Sequence, residues 1–123
     1  MRLDPRLRVD ALCWELVDGK EAAAHAVNLS PVGVRVERPY TGGRTTRTMP
    51  LQLEVPDIDE VMWAKGEATF DHVVMVGGEL VRRTGYRIVA AATRDLRLLR
   101  ELVFDSYRAR VATLIYPPLR ARA

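Results

Sequence analysis

Three residues in one short segment, Asn28, Ser30 and Gly33, hold the most concentrated chemistry in the sequence. Asparagine presents a donor and an acceptor together, serine a short hydroxyl, and glycine no side chain, so a planar base or a phosphate can approach the backbone closely. The same residue types also build plain bends, since Asn and Ser bond their own backbone and a glycine at a strand start marks a bulge. Upstream, Arg2 and Arg6 stand four apart in Arg2-Leu3-Asp4-Pro5-Arg6. A guanidinium fork grips phosphate in bidentate fashion and stacks on flat rings. In an arginine-rich chain this spacing also arises without purpose, and Arg83 and Arg87 repeat it. The order gives the two groups joint meaning: an arginine pair, a hairpin of two strands, then the Asn/Ser/Gly turn.

Other chemistry is thin. His25 and His72 are the only histidines and read as surface or packed strand residues, and Cys13 is the only cysteine. A disulfide scaffold and a cysteine-based metal site are excluded, and no metal is expected. Asp57, Asp59 and Glu60 cluster behind Pro56 with no basic or histidine partner nearby, as in a solvated turn, so no catalytic residue is expected. Gly42-Gly43 with Arg44 and Arg47 matches no phosphate-loop pattern and reads as a loop. The formal charge is +3, and Lys20 and Lys65 are the only lysines. That arginine excess suits anionic ligands, and GC-rich codon usage produces it equally well.

The elements that position these residues follow from periodicity. At 123 residues, 48% hydrophobic and 28% charged, the chain has the size and composition of one globular domain. Its apolar runs are far shorter than a membrane span, and no apolar stretch follows the charged start, so a cytoplasmic protein without membrane insertion is expected. Leu7 to Val17 alternates Leu12, Trp14 and Leu16 against Cys13 and Glu15, which suits a half-buried strand. Asp18-Gly19 is a type I′ hairpin pair, and Glu21 to Asn28 returns as a second strand. Val32, Val34 and Val36 then alternate with Gly33, Arg35 and Glu37. Pro39 to Thr48 reads as a loop, Leu51, Leu53 and Val55 as a strand, and Glu67 to Val76 with Leu80 to Ala90 as a hairpin across Gly77-Gly78.

From Arg94 the period changes to that of a helix, with Leu96, Leu99 and Val103 on one face, Thr93 as N-cap and Asp95 in the first turn. Pro117-Pro118 forbids a helix through the tail. Arg94, Arg97, Arg100, Arg108 and Arg110 make this helix basic, yet no nucleic-acid motif accompanies them. Strands first and one helix last predict a mainly β domain, an antiparallel barrel or sandwich of about six strands closed by a helix.

As a set, these features resemble the PilZ domain family, bacterial receptors for cyclic di-GMP. That family carries RxxxR just ahead of the first barrel strand and [D/N]xSxxG after the second. Arg2 and Arg6 followed by Asn28, Ser30 and Gly33 match the pair, with a hairpin of the expected length between them. Thr84-Gly85-Tyr86-Arg87-Ile88 is similar to the family's late Gly-x-x-aromatic strand, with Ile88 where an aromatic is usual. The resemblance implies a six-stranded antiparallel PilZ-like barrel with a C-terminal helix: a domain over 1–110 (arm 1–6, barrel 7–91, helix 94–110) and a tail over 111–123. It implies that Arg2 and Arg6 hold the phosphates and stack on or bond the guanines. Asn28 and Ser30 would contact base and phosphate, and Gly33 would keep the surface open.

The expected function is non-enzymatic: cyclic di-GMP is the ligand, no cofactor is needed, and the output is a changed contact with a protein partner. Met1 directly before the motif suggests one bound dinucleotide rather than a stacked pair. The alternatives are a PilZ-like adaptor that binds a partner without the dinucleotide and, less favoured, a basic nucleic-acid-binding domain.

Overall fold

The computed structural model describes residues 6–43, 47–54 and 60–115, with side chains through 109. Arg2, Arg44, Asp57, Asp59, Arg110 and Pro117-Pro118 lie outside the described residues or side chains. Strands β1 (Leu7–Val17) and β2 (Lys20–Ser30) meet at Asp18-Gly19, whose φ values of 52° and 76° are the two positive angles that a type I′ turn requires. Strands β5 (Val61–Val76) and β6 (Glu79–Ala91) turn the same way at Gly77-Gly78, with φ of 57° and 83°. Between these hairpins lie β3 (Gly33–Pro39) and β4 (Thr48–Glu54). All six pair antiparallel in a closed barrel ordered β1-β2-β3-β6-β5-β4, so the sandwich alternative is excluded.

The barrel interior is filled by small and medium side chains. On β1 the alternation holds, but the inward face carries Ala11, Cys13 and Glu15, while Leu12, Trp14 and Leu16 are half-buried. A narrow barrel has room for alanine and cysteine opposite Leu51, Leu53 and Met62. The Cys13 thiol, fully enclosed, is pushed up to about 12, by burial first and by Glu15 next, with Arg38 opposing.

Helix α1 (Thr93–Ile115) packs the buried side chains of Leu99 and Val103 against the barrel, touching β1, β2 and β5. Thr93 is the first helical residue and not the cap, since the Ala92 carbonyl accepts the first helical bond from the Leu96 N–H at 3.0 Å. Further boundaries differ from expectation: the helix runs to Ile115, past the expected end at 110, and Pro39 and Thr48, expected in a loop, end β3 and begin β4. The fifth strand begins at Val61, six residues before Glu67, because Met62 and Gly66 point inward on the same alternation. Gly66 is required there: a side-chain carbon would come within 2.9 Å of both Leu51 and Tyr86. The second strand continues through Ser30, and Val32 falls in the following turn, exposed. No described helix is long and apolar enough to cross a membrane.

Candidate functional site

The sheet pairings align residues from four strands into rows on the outer surface of the barrel. One row reads Asn28 (β2), Arg35 (β3), Gly85 (β6) and Phe70 (β5). The next reads Ser30, Gly33, Arg87 and Glu67. Register shifts interrupt β2 between Ala26 and Asn28 and β5 between Ala68 and Phe70. Such bulges bend a strand and re-aim its side chains. The rows border an open groove of about 640 Å³ lined by Arg6, Asn28, Ser30, Gly33, Arg35, Thr69, Phe70 and Arg87, among others. That volume is in the range of small-molecule sites. Four of the five site residues read from the sequence therefore meet in one groove; the fifth, Arg2, lies outside the described residues.

Each motif residue has a local physical role. The Ser30 hydroxyl accepts the Val32 N–H at 3.3 Å, which shapes the turn and leaves the hydroxyl proton available to donate. The turn is also tied to β6, where the Ile88 N–H donates to the Val32 carbonyl at 2.8 Å. Gly33 allows a close approach: a side-chain carbon there would lie 2.5 Å from the Tyr86 carbonyl oxygen. Gly85 is equally constrained, because a side chain would run into the Phe70 ring that lies over it. Phe70 in turn stacks on His72, ring centroids 5.6 Å apart.

Carboxylates on and beside this face are engaged. Glu37 accepts from Arg83 at 3.2 Å, Glu67 faces Arg87 at 3.5 Å and Arg47 at 3.9 Å, and Asp10 bonds His25. Arg35 has no such partner: its Nε is buried without a hydrogen bond among the described residues. Beneath the groove, the Tyr86 hydroxyl donates to Glu15, whose other oxygen sits 2.9 Å from Arg38. Burial first, and that hydrogen bond second, raise the Tyr86 phenol well above the usual tyrosine range, so it stays a donor.

No protein-family model matches the sequence, and no curated protein matches it. Solved structures do match. The Bacillus subtilis inhibitor of motility MotI/DgrA superposes with a TM-score of 0.75 at 12% identity, covering 89% of this chain and 53% of its own. The PilZ domain of Escherichia coli YcgR with c-di-GMP gives 0.66 at 13%, covering 94% of this chain and 98% of its own. The chain has the PilZ fold. The K. pneumonia MrkH–c-di-GMP complex superposes on this PilZ barrel with a TM-score of 0.74 at 14% identity, over 92% of this chain and 55% of the other. The chain thus spans about half the length of the MotI/DgrA and MrkH chains it matches, and nearly all of the YcgR domain.

In the PilZ barrel, Arg35 was readable as the polar member of the Val34/Val36 alternation, although its place in the groove was not. Phe70, Thr69 and Arg87 come from β5 and β6, and nothing local in the sequence announces that β6 pairs with β3. Among the described residues no three His, Cys, Asp or Glu side chains gather as metal ligands.

Proposed function

We propose that this chain is a non-enzymatic receptor for cyclic di-GMP, which it binds in the groove through Arg2, Arg6, Asn28, Ser30 and Gly33. The observation that carries the reading is the meeting of Arg6, Asn28, Ser30 and Gly33 in one groove of a PilZ fold whose structural neighbours include c-di-GMP complexes. The chemistry agrees. A cyclic dinucleotide brings two negative phosphates and two broad rings, to which guanidinium forks and a small amphoteric turn are complementary. Binding engages the arm at 1–6, and the altered surface changes a contact with a protein partner in the cytoplasm. Such a switch works only through the ligand's differential affinity for the two states of that surface.

Calorimetric titration of the wild type, Arg6→Ala and Ser30→Ala with cyclic di-GMP tests this. One dinucleotide should bind per chain, and each variant should lose about 1.5–3 kcal/mol, roughly ten- to a hundredfold in affinity. A wild type that binds nothing at near-millimolar ligand overturns the receptor reading and leaves the adaptor. Undiminished binding in both variants moves the site elsewhere. Salt-sensitive retention on DNA or RNA would instead favour the nucleic-acid reading.

A further inference from the structure

The outer face of β2, β3, β6 and β5 can be followed charge by charge. Two of its acids are committed, Glu37 to Arg83 and Glu67 to Arg87 and Arg47, and Asp10 of the adjoining β1 bonds His25 at its edge. One arginine in the middle of the face, Arg35, has no ion pair among the described residues, and its Nε is both buried and without a hydrogen-bond partner there. Buried donors in folded proteins are nearly always paired, and an unpaired one calls for an explanation such as a bound group. A guanidinium is the most demanding case, with five N–H donors and no acceptor of its own.

Its surroundings point the same way. Arg35 lies between Asn28 and Gly85 in the row that crosses the groove. Gly85 contributes no side chain, and the Phe70 ring occupies the space above it, so Arg35 stands between an amide and an aromatic wall. All four residues line the groove together with Arg6. A cation, an amphoteric amide and an aromatic face side by side make a site for a flat ring with acceptor atoms on its edge, or for the phosphate attached to it. Arginine matches both the O6/N7 edge of guanine and a phosphate with the same two-pronged fork.

We propose that Arg35 is a ligand-holding residue of this groove, a third guanidinium that takes an acceptor pair of the bound guanine nucleotide from the barrel side. This rests on the reading of the groove as the cyclic di-GMP site. Arg35 sits on a paired strand, so its backbone is already ordered before the ligand arrives. Such a residue adds no backbone-ordering cost on binding.

The test is titration of the wild type, Arg35→Ala and Arg35→Lys with cyclic di-GMP, together with the Arg35 Nε–H cross-peak in a ¹H–¹⁵N spectrum, assigned by its loss in Arg35→Lys. Arg35→Ala should lower affinity about ten- to a hundredfold, and Lys, which keeps the charge without the fork, should restore only part. The wild-type Nε–H resonance should shift on saturation, which a purely structural arginine would not show. Wild-type affinity in both variants overturns the inference alone, as does a cross-peak unmoved at saturation even where the alanine variant binds weakly or fails to fold. A wild type that does not bind cyclic di-GMP overturns the reading of the groove and this inference with it.

Discussion

Replacing Gly33 with alanine adds one methyl group where the structure has no room for it. The new carbon would sit 2.5 Å from the Tyr86 carbonyl oxygen, against ordinary contact from 3.4 Å, so β3 and β6 must part locally by about 0.9 Å. The obstacle is backbone, and no rotamer change relieves it. The Ile88 N–H bond to Val32, 2.8 Å long, would stretch by a similar amount and pass out of hydrogen-bond range. Overpacking with one lost bond costs about 2–3 kcal/mol, and the stiffer unfolded chain returns about 1. The net loss is then about 1–2 kcal/mol. An unfolding entropy of about 2.1 cal/mol/K per residue over 123 residues makes that a fall of about 4–8 °C in the melting temperature. Thermal denaturation followed by circular dichroism reads it, with Gly85→Ala as comparison. There the added carbon meets the Phe70 ring, which can swing aside, so the fold should lose less while the groove wall changes. A Gly33→Ala protein melting within about 1 °C of the wild type, or a Gly85→Ala protein melting lower than Gly33→Ala, would refute the argument that the β3–β6 backbone approach imposes Gly33.

Other consequences can be checked with the same protein. Cys13 and Tyr86 keep their protons in the fold at pH values where the unfolded chain, with ordinary values of 9.0 and 10.0, has released them. The unfolded state then binds fewer protons. Stability is therefore complete below about pH 9 and falls as the pH rises, by about 1.4 kcal/mol per pH unit for each group, in urea titrations run at successive pH values; a flat profile to about pH 11 contradicts this. In Tyr86→Phe the fall should be shallower by the tyrosine's share. The buried Cys13 thiol should resist a thiol reagent at about pH 8 in the native state and react in denaturant, and rapid native labelling would show that the barrel opens. Ser30→Ala loses only a long, exposed bond to Val32, so its stability should drop by no more than about 1 kcal/mol, which separates a binding defect from a folding one in a melting experiment. Met75, 65% exposed near the tip of the β5–β6 hairpin, should tolerate lysine within about 0.5 kcal/mol by the same measurement.

Much of this fold is local, and what is local was legible. Asp18-Gly19 and Gly77-Gly78 announce their hairpins because only residues comfortable at positive φ make such turns. Val34 and Val36 announce a strand by alternation, and the change to a helical period after Thr93 announces the helix. Errors arose where tertiary context decides. On β1 the leucines and tryptophan are the larger apolar residues, yet the closed barrel takes Ala11, Cys13 and Glu15 inside, because its interior is narrow and Arg38 and Tyr86 meet the carboxylate. The start of β5 was hidden by Pro56 and by Gly66, whose lack of a side chain reads as a break and serves as clearance for Leu51 and Tyr86. The site was half legible for the same reason. Asn28, Ser30 and Gly33 lie together in the sequence, whereas Phe70, Gly85 and Arg87 join them only through the β3–β6 and β5–β6 pairings.

The interior of the barrel explains how those distant residues are held in register. From Glu15 on β1 a continuous polar chain runs through Arg38 on β3 to Thr84 on β6, whose hydroxyl accepts from Arg38 at 3.2 Å and donates to Asp71 on β5 at 3.0 Å. Asp71 holds Arg82 through two bonds of 2.8 and 2.6 Å, which raises that guanidinium further, and Arg82 reaches the Gly43 carbonyl at 3.1 Å. A buried ion pair such as Glu15–Arg38 adds little net stability once desolvation is counted. Its value here is geometric, because four strands that are not all neighbours must adopt one register for every member to be satisfied. Tyr86 belongs to this chain by its hydroxyl and to the groove by its carbonyl, against which Gly33 is packed. A one-residue slip of β6 would turn Tyr86 outward, break the bond to Glu15 and remove both Gly85 and Arg87 from the outer rows. The polar core thus ties the strands that carry the groove together from the inside.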